Sequence, residues 1–421
     1  MHIMGDLSYR PQLSDIQRAK QRIGGIVVPT PLAKNFPLSE RFKAEIWLKR
    51  EDLQHVRSYK IRGAYNKIAS LTKEELERGV VCASAGNHAQ GVALAAYSLK
   101  ARAVVFMPKP TPQQKINQVR MFGKESVEII LAGDTYDDAC GEAIEYCREK
   151  GACFIHPFDD PQVIEGQGTL ALDILNDATQ PIEYLLLPIG GGGLASGVSS
   201  VFKAISPETK IIGVEASGAP SMKNSLEAGS RVTLDEMDTF ADGIAVRTPG
   251  EITFEICREV LDRIVTVPEG KICTTILQLY NESAIVVEPA GAASVAALSI
   301  IGEEISGRSV VCVVSGSNND ITRMEEIKER SMLYEGLKHY FIVRFPQRAG
   351  ALREFLEHVL GPDDDITLFQ YAKKNAMEKG PAIVGIEVPS PENFDPLIRR
   401  MDEQKIIYEY LNDKPDLLRL I

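Results

Sequence analysis

The sequence predicts an α/β protein in which parallel sheets are covered by helices, followed by a smaller α+β domain at the C-terminal end. Short runs that are almost entirely apolar, such as 101–108 and 308–316, alternate with helical patterns, which is typical of parallel strands buried on both faces. Near residue 322 the composition becomes charged, and the remaining pattern is βαββαβ, the split ferredoxin-like unit. A chain of 421 residues is also longer than one ordinary core, so two or three compact units are expected.

The elements of the first part follow from apolar spacing and from the positions of glycine and proline. A helix over 11–24 is predicted because its apolar residues share one face and it stops at a glycine pair. A strand over 45–52 precedes the stretch SYKIRGA at 58–64, which leads into an apolar helix over 64–71. Further strands alternate with helices and are predicted at 80–84, 101–108, 125–133, 182–190, 211–216 and 308–316.

The second part is shorter and of a different class. Its first predicted helix carries Leu352, Phe355, Leu356 and Val359 at positions i, i+3, i+4 and i+7. A strand over 365–374 follows it. The expected domain limits are 1–325 for the first domain, with a smaller subdomain at about 55–155, then 326–338 for a linker helix and 339–421 for the second domain.

Composition and charge exclude several classes of function. The net charge of −11 argues against a nucleic-acid surface, which needs clustered Lys and Arg. No apolar run reaches the ~20 residues that span a bilayer, and the N-terminal stretch lacks the apolar core of an export signal, so no membrane contact and a cytoplasmic location are expected. Seven scattered cysteines without a C-x-x-C pair predict reduced thiols. With six histidines and no H-E-x-x-H motif, no catalytic metal site is expected.

Four glycines and a leucine, GGGGL at 190–194, lie between a predicted strand and a helix. Bare backbone N–H groups at the positive end of a helix bind a phosphate without any side chain, and ligands of open α/β sheets lie beyond the carboxyl ends of the strands. The alternative is a plain tight turn. A dinucleotide site is disfavoured because Ala195 and Ser196 stand where the last glycine of G-x-G-x-x-G is required. The loop therefore predicts an anion site.

A second strand-to-helix turn, SAGNHAQG at 84–91, puts Asn87 and His88 in the first turn of a helix, beside free N–H donors. Taken alone, Asn87 also fits a helix N-cap, His88 a packed or solvated histidine, and Lys60 of SYKIRGA a solvated surface charge. However, a compact and partly apolar setting lowers the pKa of a lysine, with Arg62 acting in the same direction. A neutral amine is the form that makes an imine with an aldehyde.

The segments SYKIRGA, SAGNHAQG, GGGGL and SGSN, in this order, resemble the β-family (fold type II) of pyridoxal-phosphate enzymes. Within that family they are most similar to threonine dehydratases and their serine-dehydratase and serine-racemase relatives, over roughly residues 20–325. The resemblance implies pyridoxal 5'-phosphate as cofactor and conversion of L-threonine to 2-oxobutanoate and ammonia, the first step of isoleucine biosynthesis. One departure is Ser317, which replaces the second glycine of the family's usual S-G-G-N.

The resemblance also implies roles for individual residues. Lys60 would bear the cofactor as an imine and would act, with Ser84, in catalysis. Asn87 would bond to the phenolic oxygen of the cofactor ring, and Ser315 would face its pyridine nitrogen. The phosphate cup would consist of Gly190, Gly191, Gly192, Gly193 and Leu194. The substrate carboxylate would be bound by the backbone N–H groups of Ser84, Ala85, Gly86, Asn87 and His88.

Alternatives on the same fold stay open. Preference for serine over threonine depends on the pocket around the β-carbon. Racemisation needs a proton donor opposite the lysine, and Ala85 removes the second hydroxyl that racemases carry there. The racemase cation site is matched by Glu215 but not by Ser221, so no metal is predicted. A β-replacement synthase and an amino-acid sensor on an inactive scaffold are the rivals from other classes.

The C-terminal part resembles the ACT-like regulatory domain of biosynthetic threonine dehydratases. FPQRAGAL at 345–352 is similar to the family's F-P-E-R-P-G-A-L, and ITLFQY at 366–371 to the strand that follows. This resemblance implies feedback control by isoleucine and opposition by valine, because allostery needs a second site with different affinities in two states. The alternative is a dimerisation module without a ligand. A homo-oligomer, either a dimer or a tetramer, is expected.

Overall fold

The computed structural model describes residues 8–371 and 379–418. Three predictions fall partly outside these residues: the N-terminal stretch expected to lack an export signal, the last three residues of the strand predicted at 365–374, and the end of the domain predicted to reach 421. The chain divides into two compact units, one running to Ile321 and the other starting at Thr322. Within the described residues, no helix is both long enough and apolar enough to cross a membrane.

Strands and helices alternate along most of the first unit, as the apolar pattern predicts. Its strands are β1 (Leu32–Lys34), β2 (Glu45–Arg50), β3 (Val80–Ala83), β4 (Ala103–Met107), β5 (Val127–Leu131), β6 (Cys153–Phe154), β7 (Tyr184–Pro188), β8 (Lys210–Ala216), β9 (Arg263–Val267) and β10 (Ser309–Val314). Its helices are α1 (Leu13–Ile23), α2 (Phe36–Phe42), α3 (Lys60–Ala69), α4 (Lys73–Arg78), α5 (Asn87–Leu99), α6 (Gln113–Gly123), α7 (Tyr136–Lys150), α8 (Pro161–Asp177), α9 (Gly193–Ile205), α10 (Ser221–Ala228), α11 (Glu251–Val260), α12 (Glu269–Ser283), α13 (Pro289–Ala296) and α14 (Leu298–Ile301).

The strands of the first unit form two sheets. The larger has the order β1-β2-β10-β7-β8-β9 and is parallel except at one edge, where β1 pairs antiparallel with β2. The smaller, β5-β4-β3-β6, is parallel throughout. Every residue of β10 is buried, as expected for a central strand of a parallel sheet with helices on both faces. The predicted α/β class with parallel-sheet subdomains is confirmed.

Both faces of the smaller sheet are covered by helices, and alternate residues of each strand pack against opposite faces. In β3, Val80 and Cys82 pack into a cluster with residues of α3 and α5, whereas Val81 and Ala83 pack into a second cluster with residues of α7. Adjacent positions thus serve opposite faces, as the period of two in a strand requires. The carboxyl end of β3 leads directly into the SAGNHAQG turn.

Helix α3 begins at Lys60, four residues earlier than predicted. The reason lies outside the local sequence: Ser58 forms an isolated β-bridge with Gly316, and the chain turns from that bridge into the helix. Close packing against α8 holds the helix, since a Cβ added at Gly63 would lie 2.3 Å from the side chain of Gln167. Tertiary contacts therefore fix the helix whose first residue is the lysine.

A buried ion pair anchors the same helix. Arg62 is fully buried and donates two hydrogen bonds to Glu51, at 2.7 and 2.8 Å. A second carboxylate, that of Asp173 in α8, lies 2.8 Å from the guanidinium, and Arg62 also donates to the hydroxyl of Thr169. Removing one partner from such a pair leaves an uncompensated buried charge, so these contacts hold α3 firmly against α8.

The second unit begins with a helix, continues as a sheet with two helices, and has a further short helix near the end of its described residues. Its strands are β11 (Lys338–Pro346), β12 (Asp365–Tyr371), β13 (Lys379–Glu387) and β14 (Ile407–Tyr410). Its helices are α15 (Met324–Tyr334), α16 (Ala351–His358), α17 (Phe394–Glu403) and α18 (Pro415–Leu418). Short 3-10 turns in the chain cover Glu51–Leu53, Lys124–Ser126, Ile321–Arg323 and Pro391–Asn393.

From β11 to β14 the elements follow the order strand, helix, strand, strand, helix, strand. The sheet order β12-β13-β11-β14 is antiparallel, so the predicted ferredoxin-like α+β class is confirmed. Phe355 and Val359 are buried as the helical spacing predicts, but Leu352 and Leu356 are 40% and 43% exposed. Only half of the predicted apolar stripe therefore enters the core of this unit.

Replacement of Arg62 by Met should destabilise the first unit by about 3–5 kcal/mol, because Glu51 would stay buried without its partner. The matched control is Arg263→Met, which breaks a pair with Glu304 in which both side chains are exposed and should cost less than about 1 kcal/mol. The single tryptophan, Trp47, lies in β2, so urea unfolding followed by tryptophan fluorescence reports on this unit. Equal urea midpoints for the two variants would contradict the prediction.

Candidate active site

The segments singled out in the sequence meet where strands of both sheets end. Strand β3 leads into 84–91, β7 into 190–194 and β10 into 315–320. Lys60 reaches the same region. Its Nζ donates a 2.9 Å hydrogen bond to the carbonyl of Pro157, and Phe158, the residue after that proline, packs on the glycine loop. The structure thus brings the candidate residues together around one lysine.

The amine of Lys60 is sheltered. Besides its bond to the Pro157 carbonyl, it lies 5.3 Å from the centre of the Tyr59 ring. Burial lowers the pKa of this amine to about 8, and the nearby carboxylate of Glu288 opposes the shift. The expectation that Arg62 adds to the lowering is wrong, because the two carboxylates paired with Arg62 neutralise its charge.

Ser315 follows β10 and is buried. Its carbonyl accepts a 3.2 Å hydrogen bond from the N–H of Tyr59, and the next residue, Gly316, forms the bridge with Ser58. These contacts join the lysine segment to the end of β10. Among the residues that the structure describes, the buried hydroxyl of Ser58 has no hydrogen-bond partner, so a polar group is left for a bound molecule.

Asn87 is not a helix N-cap. The cap position of α5 is Gly86, and Asn87 is the first helical residue. Its Nδ2 donates a 2.6 Å hydrogen bond to Oε1 of Glu288, and its Oδ1 accepts one from Asn318. Both partners are more than 200 residues away in sequence. An amide NH₂ carries two N–H donors, and the second has no partner within the described part of the chain.

The rest of this turn is an open backbone loop. The hydroxyl of Ser84 accepts a 3.2 Å hydrogen bond from the N–H of Gly86, and Ala85 between them is half-buried. A Cβ added at Gly86 would meet no described atom within 4 Å, so there is room for a small ligand. The side chain of His88 is buried against the Ile155 carbonyl, 2.8 Å from its Nε2, and burial lowers its pKa to about 3. His88 is therefore a packed, neutral histidine.

The glycine loop after β7 leaves no space for side chains. A Cβ at Gly190 would lie 3.0 Å from the Cα of Ile244. At Gly191 it would lie 2.3 Å from the ring of Phe158, and at Gly193 2.9 Å from the same residue. These distances are shorter than a van der Waals contact of about 3.5 Å, so only glycine fits at these three positions.

Helix α9 begins within this loop, with Gly192 as its N-cap and Gly193 as its first residue. Gly192 adopts φ +94°, in the left-handed region that glycine enters without strain. The first N–H groups of a helix lack partners within the helix and lie at the positive end of its dipole. The loop can therefore hold a phosphate through its backbone, while Leu194 is buried in the core of the larger sheet.

These residues fit pyridoxal 5'-phosphate. The amine of Lys60 has a lowered pKa, as attachment of an aldehyde requires, and the backbone of the glycine loop at the start of α9 is suited to a phosphate. The hydroxyl of Ser58 and the second N–H of Asn87 are polar groups left for a bound molecule. The groups that would hold the cofactor are Lys60, Asn87, the loop 190–194 and Ser315.

Glu215, near the end of β8, bonds to the protein's own backbone. Its two oxygens accept hydrogen bonds from the N–H groups of Met222 and Lys223, both at 2.8 Å, at the start of α10. Burial raises the pKa of this carboxyl to about 7. Ser221 adds no carboxylate beside it, and in the described ranges no group of His, Cys, Asp or Glu side chains is arranged to hold a metal ion.

Three residues of the site are not predicted by the sequence: Pro157, Phe158 and Glu288. The first two belong to the stretch HPF, which has the composition of an ordinary connection. Glu288 precedes Pro289 at the start of an apolar helix, a place where acids commonly satisfy helix N–H groups. One feature of the sequence does point to Glu288: it is an acid within the otherwise apolar run VVEPAGAA, and acids are rarely buried unless they are paired.

Two family models match the chain. The model described as pyridoxal-phosphate dependent enzyme matches residues 23–316. The model described as the C-terminal regulatory domain of threonine dehydratase matches residues 329–421. The first match covers more than half of the chain and includes every candidate site residue from Lys60 to Ser315.

The full chain is also similar to curated proteins and to solved structures. It is 55% identical to the L-threonine dehydratase biosynthetic IlvA of Halalkalibacterium halodurans over 97% of this chain and 99% of that protein. It is 55% identical to the protein of the same name from Bacillus subtilis, over 97% of each. The processed form of threonine deaminase isoform 2 from Solanum lycopersicum is 41% identical, with a TM-score of 0.72, over 76% of this chain and 95% of that one. The chain therefore belongs to the family of pyridoxal-phosphate-dependent enzymes, among the threonine dehydratases with a C-terminal regulatory domain.

Proposed function

We propose that the chain is an L-threonine ammonia-lyase, a carbon–nitrogen lyase that converts L-threonine to 2-oxobutanoate and ammonia. The observation that supports this most is the sheltered amine of Lys60 close to a phosphate-binding glycine loop and to the open backbone loop at 84–88. Further support comes from relatives that are similar over nearly their whole length and are named biosynthetic L-threonine dehydratases. The rivals are serine dehydration and racemisation on the same fold.

Lys60 is suited to two tasks. As a neutral amine it would hold the aldehyde of the cofactor, and as a free amine its Nζ would accept the α-proton of the substrate. A pKa of about 8 leaves roughly a tenth of the amine neutral at pH 7. The cofactor, when bound, withdraws electrons from the α-carbon and makes that proton acidic. The hydroxyl of Ser315 would face the ring nitrogen in place of a carboxylate that keeps this nitrogen protonated, and the weaker electron sink would favour loss of the β-hydroxyl group.

Binding of the substrate carboxylate is assigned to the turn from Ser84 to His88. The N–H groups of this turn lie at the N-terminal end of α5, where an anionic group is favoured. Ala85 carries no hydroxyl, which disfavours the second proton donor that racemisation needs. The three activities differ in their products: 2-oxobutanoate from threonine, pyruvate from serine, and D-serine from L-serine.

The second unit is assigned a regulatory function, with L-isoleucine as inhibitor and L-valine as opposing effector. Its ferredoxin-like sheet and its similarity to the regulatory domain of threonine dehydratase support this assignment. The curated relatives are described as biosynthetic, and isoleucine is the expected end product of that synthesis. A cytoplasmic homo-oligomer, a dimer or a tetramer, belongs to the same proposal.

In the cofactor-free protein, the amine of Lys60 should react with an acetylating reagent at lower pH than other lysines. Burial lowers its pKa to about 8, whereas the hydrogen bond donated to Tyr97 raises the pKa of Lys124, the internal control. Mass spectrometry of peptides from protein acetylated between about pH 6 and about pH 11 gives a midpoint for each lysine. Equal midpoints for Lys60 and Lys124 would contradict the lowered pKa of the Lys60 amine.

Replacement of Lys60 by Ala should abolish both the visible absorbance of protein reconstituted with pyridoxal phosphate and the turnover of threonine. The reason is that cofactor attachment and proton transfer use the same amine. Lys73→Ala is the control, because Lys73 is exposed on α4 and its loss should leave both properties unchanged. If Lys60→Ala keeps either the absorbance or the formation of 2-oxobutanoate, the assignment of this lysine is wrong.

L-Isoleucine should bind the intact chain and shift the threonine saturation curve to higher concentrations, by roughly fivefold or more. An effector acts only through different affinities for two states of the protein, so L-valine as the opposing effector should shift the curve back. Calorimetry measures the binding of L-isoleucine, and a steady-state assay of 2-oxobutanoate formation measures the shift of the saturation curve. D-Isoleucine is the control ligand. The effector assignment fails if L-isoleucine neither binds nor moves the curve.

A further inference from the structure

Glu288 is a buried carboxylate of the site to which the reaction above gives no role. It is the N-cap residue of α13, yet its side chain makes no capping hydrogen bond. The side chain turns instead towards Asn87 and Gly316, where a Cβ added to the glycine would lie 2.5 Å from Oε1. Side-chain oxygens at N-caps usually accept from the helix N–H groups, so this one is directed at the site and leaves the helix end uncapped.

Both oxygens of this carboxylate act as acceptors. Oε1 accepts a 2.6 Å hydrogen bond from Nδ2 of Asn87, and Oε2 accepts a 3.1 Å bond from the backbone N–H of Asn318. A glutamine at this position would offer one acceptor and one donor group, so it would leave one of the two N–H groups facing another donor. The contacts therefore favour the ionised form of Glu288.

Asn318 completes a triangle with these two side chains. Its Nδ2 donates to Oδ1 of Asn87 and, at 3.0 Å, to the carbonyl of Val56. Rotating the Asn87 amide by half a turn would place its NH₂ group against the Nδ2 donor of Asn318 and its oxygen against the Oε1 acceptor of Glu288. The orientation of an amide follows from its hydrogen-bond network, and here Glu288 and Asn318 together fix the side on which Asn87 presents its N–H groups.

Opposing effects place the pKa of Glu288 near neutral pH. Burial raises its pKa to about 7, and the charge of Asp242 adds to the rise. The hydrogen bonds from the two asparagines and the ammonium of Lys115 act in the opposite direction. Lys115, on α6, and Asp242 pair with each other at 2.6 Å, so their combined charge beside the carboxylate is small. Glu288 is therefore mostly ionised above pH 7.

The same carboxylate lies beside the start of α3, because Oε1 is next to Gly316 and Gly316 forms the bridge with Ser58. Burial dominates the pKa of Lys60 and lowers it, and the charge of Glu288 works against that lowering. Burial also raises the pKa of Tyr59, and the carboxylate raises it further, so this phenol stays protonated and neutral. Lys60 is thus the group at the start of α3 whose charge depends on the state of Glu288.

We propose that Glu288 is a positioning residue with two functions: it orients the amide of Asn87 for the ring oxygen of the cofactor, and its negative charge stabilises the protonated form of the Lys60 nitrogen. The inference rests on the proposed attachment of the cofactor at Lys60. Glu288 acts through the Asn87 amide and through its charge, and it passes no proton to the substrate.

Glu288→Gln removes the charge and keeps the size of the side chain. Two pH midpoints should fall by about one unit. One is the midpoint of Lys60 acetylation in the cofactor-free protein, and the other is the midpoint of the visible absorbance band in the holoprotein. The reason is that no negative charge then stabilises the protonated nitrogen. Glu165→Gln is the matched control, since burial also raises the pKa of that carboxyl but it bonds to Tyr9; it should leave both midpoints unchanged. Unchanged midpoints in folded Glu288→Gln would overturn the electrostatic function.

Glu288→Asp separates the two functions. The shorter side chain keeps the charge but draws the carboxylate away from Asn87, so the midpoints should stay in place while the affinity for pyridoxal phosphate falls about tenfold. An unaltered affinity would overturn the positioning function. If fluorescence of Trp47 shows that Glu288→Gln does not fold, Glu288→Asp decides alone: lowered affinity with unchanged midpoints supports the proposal, and any other combination overturns it. Retention of the visible band by Lys60→Ala would instead refute the attachment of the cofactor, independently of Glu288.

Discussion

The site depends on the buried contact of Arg62 with Glu51 and Asp173. Arg62 lies two residues after Lys60 in the first turn of α3, so the contacts that fix the guanidinium also fix the backbone that carries Lys60. Its carboxylate partners come from the turn after β2 and from α8, and the helix is therefore held by two elements far apart in sequence. Exchange of a whole buried ion pair for apolar residues is often neutral for stability. We therefore interpret this contact as a determinant of where the lysine lies rather than as a source of net stability.

Most of the fold follows from local apolar patterns. The strands predicted between 80–84 and 308–316 all correspond to observed strands, because runs of Val, Ile and Leu are best buried on both faces of a parallel sheet. The strands that the pattern misses, β1, β6 and β9, are short or partly exposed. Their partners in the sheet, more than their own residues, make them strands. The early start of α3 is missed for the same reason, since the bridge of Ser58 with Gly316 joins distant segments.

The sequence indicates the segments of the site but not the groups that orient them. Lys60 and Asn87 stand in recognisable motifs, and their roles towards the cofactor stay predictions. Their partners are invisible in the sequence, because Pro157 lies 97 positions from the lysine and Glu288 lies 201 positions from the asparagine. The expected effect of Arg62 fails on the same ground: a motif shows a charged residue, but only the fold shows the carboxylates that cancel its charge.

The amine and the acid of the site have pKa values that lie close together. A lysine and a glutamic acid ordinarily differ by about six units, but burial lowers the pKa of Lys60 to about 8 and raises that of Glu288 to about 7. Attraction between the two charges alone would push these values further apart, so loss of water around both groups is the stronger effect. The protonated and neutral forms of the Lys60 amine then differ little in free energy near pH 8. A reaction that moves a proton onto and off an amine requires this balance, and a more solvated site would hold the amine permanently charged.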